Sequence, residues 1–580
     1  MSRAAATTPV WGVDRTGPAW AARAYAPAGG QDHLGLGSVS SDRILPSLSP
    51  GINVLTIHPR YWSLYAWILD DFWTHDLPRT RAAFVQFYRP REVLFSFACQ
   101  LCDMPEHQTV TGNIVGSRRT AREVATATEF DPGFDYIKEG LGGFGLYYRS
   151  AMEATGLIER ADSAVGLPYD TVTPAGKALA AAYRSEVGDA ELVRTFLTSP
   201  AAAGPVPKTV LEEFARKGCL CQLRKAQDAD LPLLRDLFLH MGDPTGARRG
   251  TLRFLLDLCT TTNGAGLNQN RFRQLIYFRS LDGETYAPQA GTAATARRWR
   301  LYQAREYYAF AFNRLWAWLA RRGLEWSSDG LALVPLTDIW KNLRAELDAS
   351  DVAAGRDITG PTFTADTSIA DLVTWLTRRV NVSGDLDAVW ARDDAVDEHE
   401  LFAWCSNATD DGETLVAMLS ILLLVYRRIG TPARLLTAGD DLDIVREGGA
   451  LRIGMARFFT ALHQQLKDNP TLYDLLTWIY GAWIIPQHER VAVAKLVNGD
   501  TFRFRRVGTA LQFFHQDAPA VPNDSRYLAL STTIHELGLV NALHQPQRKL
   551  TAAGKALLAS GDLPAGAISG AIEALTTGEA

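Results

Sequence analysis

Cysteine is scarce, with six in 580 residues. That excludes the disulfide scaffold that small secreted folds use in place of a large core. Long hydrophobic runs are also missing. The longest, near Leu415 to Tyr426, falls short of the roughly 20 residues a bilayer-crossing helix needs. The opening MSRAAATTPVWG shows no basic region followed by an apolar one, so no signal peptide is read there. These absences predict a cytoplasmic protein with no membrane partner. Charge of one sign is lacking too: 59 basic and 64 acidic residues leave a net charge of −5. A uniformly basic nucleic-acid coat is excluded, but a local basic surface is not.

Familiar catalytic motifs are absent as well. Neither a G-x-S-x-G elbow nor a Walker A loop occurs. His488-Glu489 and His535-Glu536 begin like H-E-x-x-H, but Ala492 and Leu539 stand where the second histidine belongs. Gly140-x-Gly142-x-x-Gly145 has no buried strand before it and reads as a turn rather than a dinucleotide cradle. Asp70-Asp71 reads as the end of a buried helix. The run Asp397-Glu398-His399-Glu400 reads as a solvated helix face rather than an acid–base centre. Arg305 and Glu306, set among aromatics, read as structural ion pairs or as side chains that snorkel from the helix. No catalytic residue and no cofactor is assigned on these grounds.

What is present is enough apolar and aromatic material for several cores. The pattern predicts a mainly α, multi-domain chain of helical bundles with two winged-helix (α+β) modules. Proline- and glycine-rich stretches and shifts in periodicity divide it into five parts. These are an N-terminal helical domain (1–135), a winged-helix-like module (136–200), helical domains at 208–350 and 367–480, and a C-terminal winged-helix-like module with a β-hairpin (481–570).

The strongest internal feature is a repeat. EATGLIERADSAVGLPYDTVTPAGKALAAAYR (153–184) and HELGLVNALHQPQRKLTAAGKALLASG (535–561) share a helix ending in Gly-Leu-Ile/Val, a variable link and Thr-x-Ala-Gly-Lys-Ala-Leu. Gly156 and Gly538 sit where a helix must stop and turn, which favours positive φ. Thr173 and Thr551 are natural N-caps for the closing helix. This pattern resembles the end of bacterial winged-helix regulators of the MarR-like and PadR-like kind, over about 35 residues at each site. SSDRILPSLSPGINVLTIHPRYWSLYAWIL, KGCLCQLRKAQDADLPLLRDLF and WRLYQAREYYAFAFNRLW are similar to parts of large uncharacterised bacterial proteins from phage-defence and mobile-element neighbourhoods. That resemblance implies a context and no mechanism.

In the second copy the helix near 525–537 is the candidate recognition helix, capped by Asp524 or Ser525. It would present Arg526, Thr532, Thr533 and His535 to phosphates or base edges. TFRFRRVGTALQFF alternates like a hairpin and carries Arg503, Arg505 and Arg506, with Gly508 at the turn; Arg548, Lys549 and Lys555 follow. These ten residues predict a nucleic-acid surface, most simply for DNA, in a component of a bacterial, anti-phage type of system. The alternative is a non-catalytic scaffold whose modules dock a helicase, a nuclease or another protein. A four-thiolate zinc site from Cys99, Cys102, Cys219 and Cys221 is the weaker alternative use of the cysteines, with His107 as a replacement ligand. Cys99 lies in an apolar stretch, where a free thiol packs as a small hydrophobe.

Overall fold

The computed structural model describes residues 32–564 except 110–112, 163, 165–166, 262–265, 350–351, 354–360, 381, 391–395, 407–411, 438–440, 442–443, 446–452, 499, 515–522 and 544–547. It is mainly helical, with a few short antiparallel strands. Among the described residues no helix is long and apolar enough to cross a membrane. The chain forms two compact units. A bundle unit takes the residues up to Leu45, Arg273–Ala287 and Ala296–Asn523; a repeat unit takes Pro46–Phe272, Pro288–Thr295 and the chain from Asp524 onward. The five consecutive segments read from the sequence are therefore regrouped. Segment 136–200 lies in the repeat unit, segment 208–350 divides between the units after Phe272, and segment 481–570 divides after Asn523.

The bundle unit has one large apolar core. Its longest element is the part of the Ala293–Trp326 helix from Ala296 onward, which buries Phe310, Phe312, Trp316 and Trp318. The Gly412–Val425 helix is buried along its whole length apart from Glu413, as an all-round apolar sequence requires. A three-stranded antiparallel sheet orders Val334–Pro335, Ala510–Phe513 and Phe504–Val507 side by side. The last two form the expected hairpin, with Gly508 (φ 61) opening a two-residue loop in the manner of a II′ turn.

The Asp397–Glu400 run is not a solvated face. Glu398 and Arg428 are fully buried and paired at 2.5 Å, Tyr277 donates to Glu398 at 2.6 Å, and His399 meets the Tyr307 hydroxyl at 2.8 Å. Their partners come from distant helices, which no local charge pattern reveals. Arg305 is structural as expected, donating to the Leu36 carbonyl at 2.9 Å and lying 3.7 Å from Glu306.

In the repeat unit, the Arg60–Thr74 helix packs on the Pro174–Val187 helix, and the Arg81–Gln100 helix packs on Lys208–Gly218. The Ala247–Thr261 helix packs on Tyr527–Glu536 and Ala552–Ser560. Both copies of the repeated sequence lie in this unit and fold alike. Gly156 (φ 77) and Gly538 (φ 71) end their helices. A short antiparallel ribbon follows in each, pairing Ile158 with Val172 and bridging Val540 to Leu550. Thr173 and Thr551 then cap the closing helices, each hydroxyl accepting from the glycine three residues on. The same threonines donate back to the Gly156 and Gly538 carbonyls at 2.8 and 2.7 Å.

The Gly140–Gly145 run belongs to this unit. Its backbone closes on the fully buried Glu92 carboxylate, to which Gly143 N donates at 2.9 Å. Tyr65 and Tyr136 donate to the same carboxylate. At Gly142 (φ 54) a side chain would overlap Glu92, Tyr88 and Tyr136. These glycines serve close packing around an internal acid.

Candidate functional site

Two helices of the repeat unit end where the cysteines cluster. The Arg81–Gln100 helix stops at its cap Leu101, and Cys102 follows. A 3₁₀ turn, Pro105–Thr109, then brings back His107. The Lys208–Gly218 helix stops at its cap Cys219, and a second 3₁₀ turn, Leu220–Lys225, carries Cys221. One ligand atom from each of Cys102, His107, Cys219 and Cys221 lies within 4.8 Å of all the others.

The edges of this group can be compared with a metal tetrahedron. Cys102 Sγ and Cys221 Sγ are 3.7 Å apart, and Cys219 Sγ and His107 Nδ1 are 3.4 Å apart. Zn–S bonds of about 2.3 Å and Zn–N bonds of about 2.0–2.1 Å at tetrahedral angles give S–S edges of about 3.8 Å and S–N edges of about 3.6 Å. All six cysteines are free thiols.

The surroundings hold the ligands in place. Gln222 Nε2 donates to Cys221 Sγ at 2.9 Å. Arg60 donates to the Lys217 and Cys219 carbonyls at 2.7 and 2.8 Å, satisfying the end of that helix, and pairs with the buried Asp230 at 3.2 Å. Lys225 and Glu106 join the two 3₁₀ turns at 2.8 Å. Hydrogen bonds from Cys219 and Cys221 hold the Cys102 thiol well below the usual range. Burial chiefly pushes Cys219 up, and the bond to Cys102 pushes Cys221 up.

Cys99, one helical turn before Cys102, is fully buried and is not in the group. The sequence set of Cys99, Cys102, Cys219 and Cys221 is therefore corrected at one position. Cys99 lies inside the Arg81–Gln100 helix, where it interacts with Cys219 but stays outside the four-atom group that His107 completes.

The ten residues expected to contact nucleic acid do not form one surface. Five are buried in the repeat unit: Arg526, Thr532, Thr533, His535 and Arg548. Arg526 stands at the helix cap position with φ 60, where Asp524 or Ser525 was expected, and its N–H donates to Asp524 Oδ1 at 2.6 Å. Its guanidinium donates to the Ile52 carbonyl at 2.5 Å. The Thr533 hydroxyl donates to the Ala529 carbonyl at 2.8 Å, and His535 Nδ1 lies 3.4 Å from Arg224. Arg548 donates to Ser531 and to the Leu543 carbonyl. At the helix end Glu536 pairs with His58 at 2.6 Å. The expectation of a helix offered to a major groove is thus corrected, because its polar side chains are spent on internal partners.

Lys549 and Lys555 are exposed on the repeat unit. Arg503, Arg505 and Arg506 lie on the bundle-unit hairpin. Arg503 is half-buried and donates to the Thr501 carbonyl at 3.3 Å. Arg505 is exposed, donates to Gln512 at 3.0 Å and lies over the Phe514 ring. Arg506 is exposed, while its backbone N–H donates to Glu489 at 2.6 Å. In the first repeat copy, Arg149 pairs with the buried Asp170 and Arg160 with Glu153.

No known protein family matches the chain, and neither a curated protein nor a solved structure is significantly similar to it.

Proposed function

We propose that this chain is a zinc-binding protein in which Cys102, His107, Cys219 and Cys221 hold one structural Zn²⁺ in the repeat unit. The observation that carries this reading is the convergence of three sulfurs and one imidazole nitrogen within 4.8 Å. Four protein ligands close a tetrahedral site and leave no position for a substrate or an activated water, which separates structural from catalytic zinc. The ion would tie together the ends of two helices that meet through their 3₁₀ turns, and its binding energy would count toward folding. The role that follows is a scaffold with a rigid, metal-fixed unit.

The test is the metal content of the full-length protein purified without chelator. About one zinc per chain is expected. His107→Ala and Cys221→Ser should lose it, and Cys99→Ser should keep it. Cobalt substitution should give the absorption of a tetrahedral thiolate site. Zinc below stoichiometry in the wild-type chain sinks the reading; loss in Cys99→Ser with retention in His107→Ala replaces it with a four-thiolate site.

A second reading, contact with a polyanion such as DNA, is favoured by Arg505 and Arg506. They stand exposed on the outer strand of the bundle-unit sheet, where phosphate contact needs them. This footprint is smaller than the sequence suggests, because the helix 527–536 does not contribute to it.

A further inference from the structure

The bundle unit contains a half-open cleft of about 380 Å³ between two helical stretches. The Met455–Gln465 helix contributes Arg457, Ala461, Gln464 and Gln465, which share one face by their spacing. The opposite wall comes from Leu472–Trp478, the wide turn Ile479–Ile484 and Ile485–Lys495, which supply Trp478, Ala482, Trp483 and Arg490. Alanines at 461 and 482 keep the cleft from filling. The size falls at the small end of the roughly 300–1,000 Å³ typical of small-molecule sites.

The lining has a definite chemistry. Trp478 and Trp483 lie 5.9 Å apart at 71°, and both pack on the buried Phe458, at 5.8 and 5.2 Å between ring centres. The indoles are therefore fixed before any ligand arrives. Trp483 Nε1 is shielded from solvent and has no hydrogen-bond partner among the described residues. Arg457 and Arg490 are exposed at the cleft, and among the described residues neither faces a carboxylate. Elsewhere in this chain arginines that are partly or fully buried are tied to acids or carbonyls, as Arg149, Arg279 and Arg428 show. Gln465 adds an amide with both donors and an acceptor.

We propose that this cleft binds a nucleotide, meaning a planar base carrying a phosphate, whether free or as one unit of a single strand. Aromatic faces stack on any base, and two guanidinium groups balance the two charges of a phosphate monoester in forked geometry. The Gln465 amide suits the donor and acceptor edge of a base. A simple anion would leave the indoles unused, and a simple apolar ligand would leave both arginines unused. The inference rests on neither the zinc reading nor the hairpin arginines.

The experiment uses the full-length protein and two probes: adenosine monophosphate, followed by calorimetry, and a short labelled single-stranded oligothymidylate, followed by anisotropy. Binding of both, or of the mononucleotide alone, identifies a free nucleotide as sufficient. Binding of the strand alone identifies a base within a strand. In each case the double variant Arg457→Gln, Arg490→Gln should weaken binding about tenfold or more. Trp483→Ala should do the same, with Trp483→Phe retaining most of it. Zinc content should stay unchanged in all of them, and so should any binding of a DNA duplex that depends on Arg505 and Arg506. If Trp483→Ala fails to fold, the two exposed arginines decide the matter. The proposal is overturned if neither probe binds, if the double variant binds as well as wild type, or if an aromatic acidic peptide binds as tightly as the nucleotide.

Discussion

A methyl group on Gly554 would overlap the carbonyl oxygen of Leu539. The closing helix of the second repeat copy therefore approaches the ribbon backbone more closely than any side chain allows. Gly176 stands in the same relation to the Leu157 carbonyl in the first copy. The Ala-Gly-Lys of the shared motif thus records a contact distance rather than a flexible joint. Gly554→Ala and Gly176→Ala should each destabilise the protein by about 1–3 kcal/mol, despite the gain in helix propensity. Urea unfolding followed by circular dichroism measures this, and an unchanged midpoint would refute the close approach.

The capping threonines offer a milder perturbation of the same units. Thr173→Ala and Thr551→Ala each remove the acceptor for a glycine N–H. Each should cost about 1 kcal/mol. Replacement by Ser should recover most of it, since the oxygen and not the methyl makes the bond. A Ser variant as unstable as the Ala variant would point to packing instead.

The buried pair Glu398–Arg428 should respond asymmetrically to its removal. Both side chains are fully buried, with Arg428 also over the Trp390 ring at 4.6 Å. Arg428→Met leaves a carboxylate with only Tyr277 as a remaining donor among the contacts above, and should cost about 3–5 kcal/mol. Adding Glu398→Leu should recover part of that loss, because the stranded charge is gone. A double variant less stable than the single one would show that the pair contributes beyond mutual neutralisation.

Two histidines make the bundle unit sensitive to acid. His33 stacks on Trp316 at 4.3 Å, and His488 accepts from the Arg503 N–H at 3.1 Å. Burial first, then His488, Arg503 and Lys495, hold His33 down at about 2. Burial first, then Arg503 and Lys495, hold His488 down at about 3. Both rings prefer to be neutral when folded, so the stability linked to them is fully present above the unfolded value near 6.5. It is lost as the pH falls from there toward about 3. At pH 5 the loss should be up to about 2 kcal/mol per ring. His488→Gln, which keeps an acceptor and does not titrate, should flatten the dependence between pH 7 and 5; an unaltered slope would assign it to other groups.

The hairpin reading has its own measurement. Arg505→Gln with Arg506→Gln should weaken binding of a labelled DNA duplex and lower the salt slope by roughly two counterions. Binding that ignores both salt and these arginines would leave the polyanion reading without support.

The sequence made some of this legible and hid the rest for identifiable reasons. Gly156, Gly538, Thr173 and Thr551 do local work, so their roles can be read from neighbours a few residues away. The 504–513 hairpin is local in the same sense. Arg526 and Arg548 misled because an arginine just before a helix or in a link looks solvent-facing until its carbonyl acceptors are known, and Ile52 lies 474 residues away from Arg526. His107 was within reach of spacing arguments, but choosing it over Cys99 required knowing where the Arg81–Gln100 helix stops. The cleft at Trp478 and Trp483 gave no sign, since tryptophans on a mostly buried helix read as core.

The repeat unit draws its second ribbon and closing helix from the chain beyond Asp524, after more than two hundred residues of the bundle unit. During synthesis the Ala247–Thr261 helix must therefore wait for its partners until the Ala296–Asn523 stretch of the bundle unit has been made. Expression of any single stretch, including one beginning near residue 480, would sever elements from both units. Dissection of this protein will have to proceed by point substitution in the intact chain, and termination before Asp524 should yield a species that exposes an apolar helix face to chaperones and proteases.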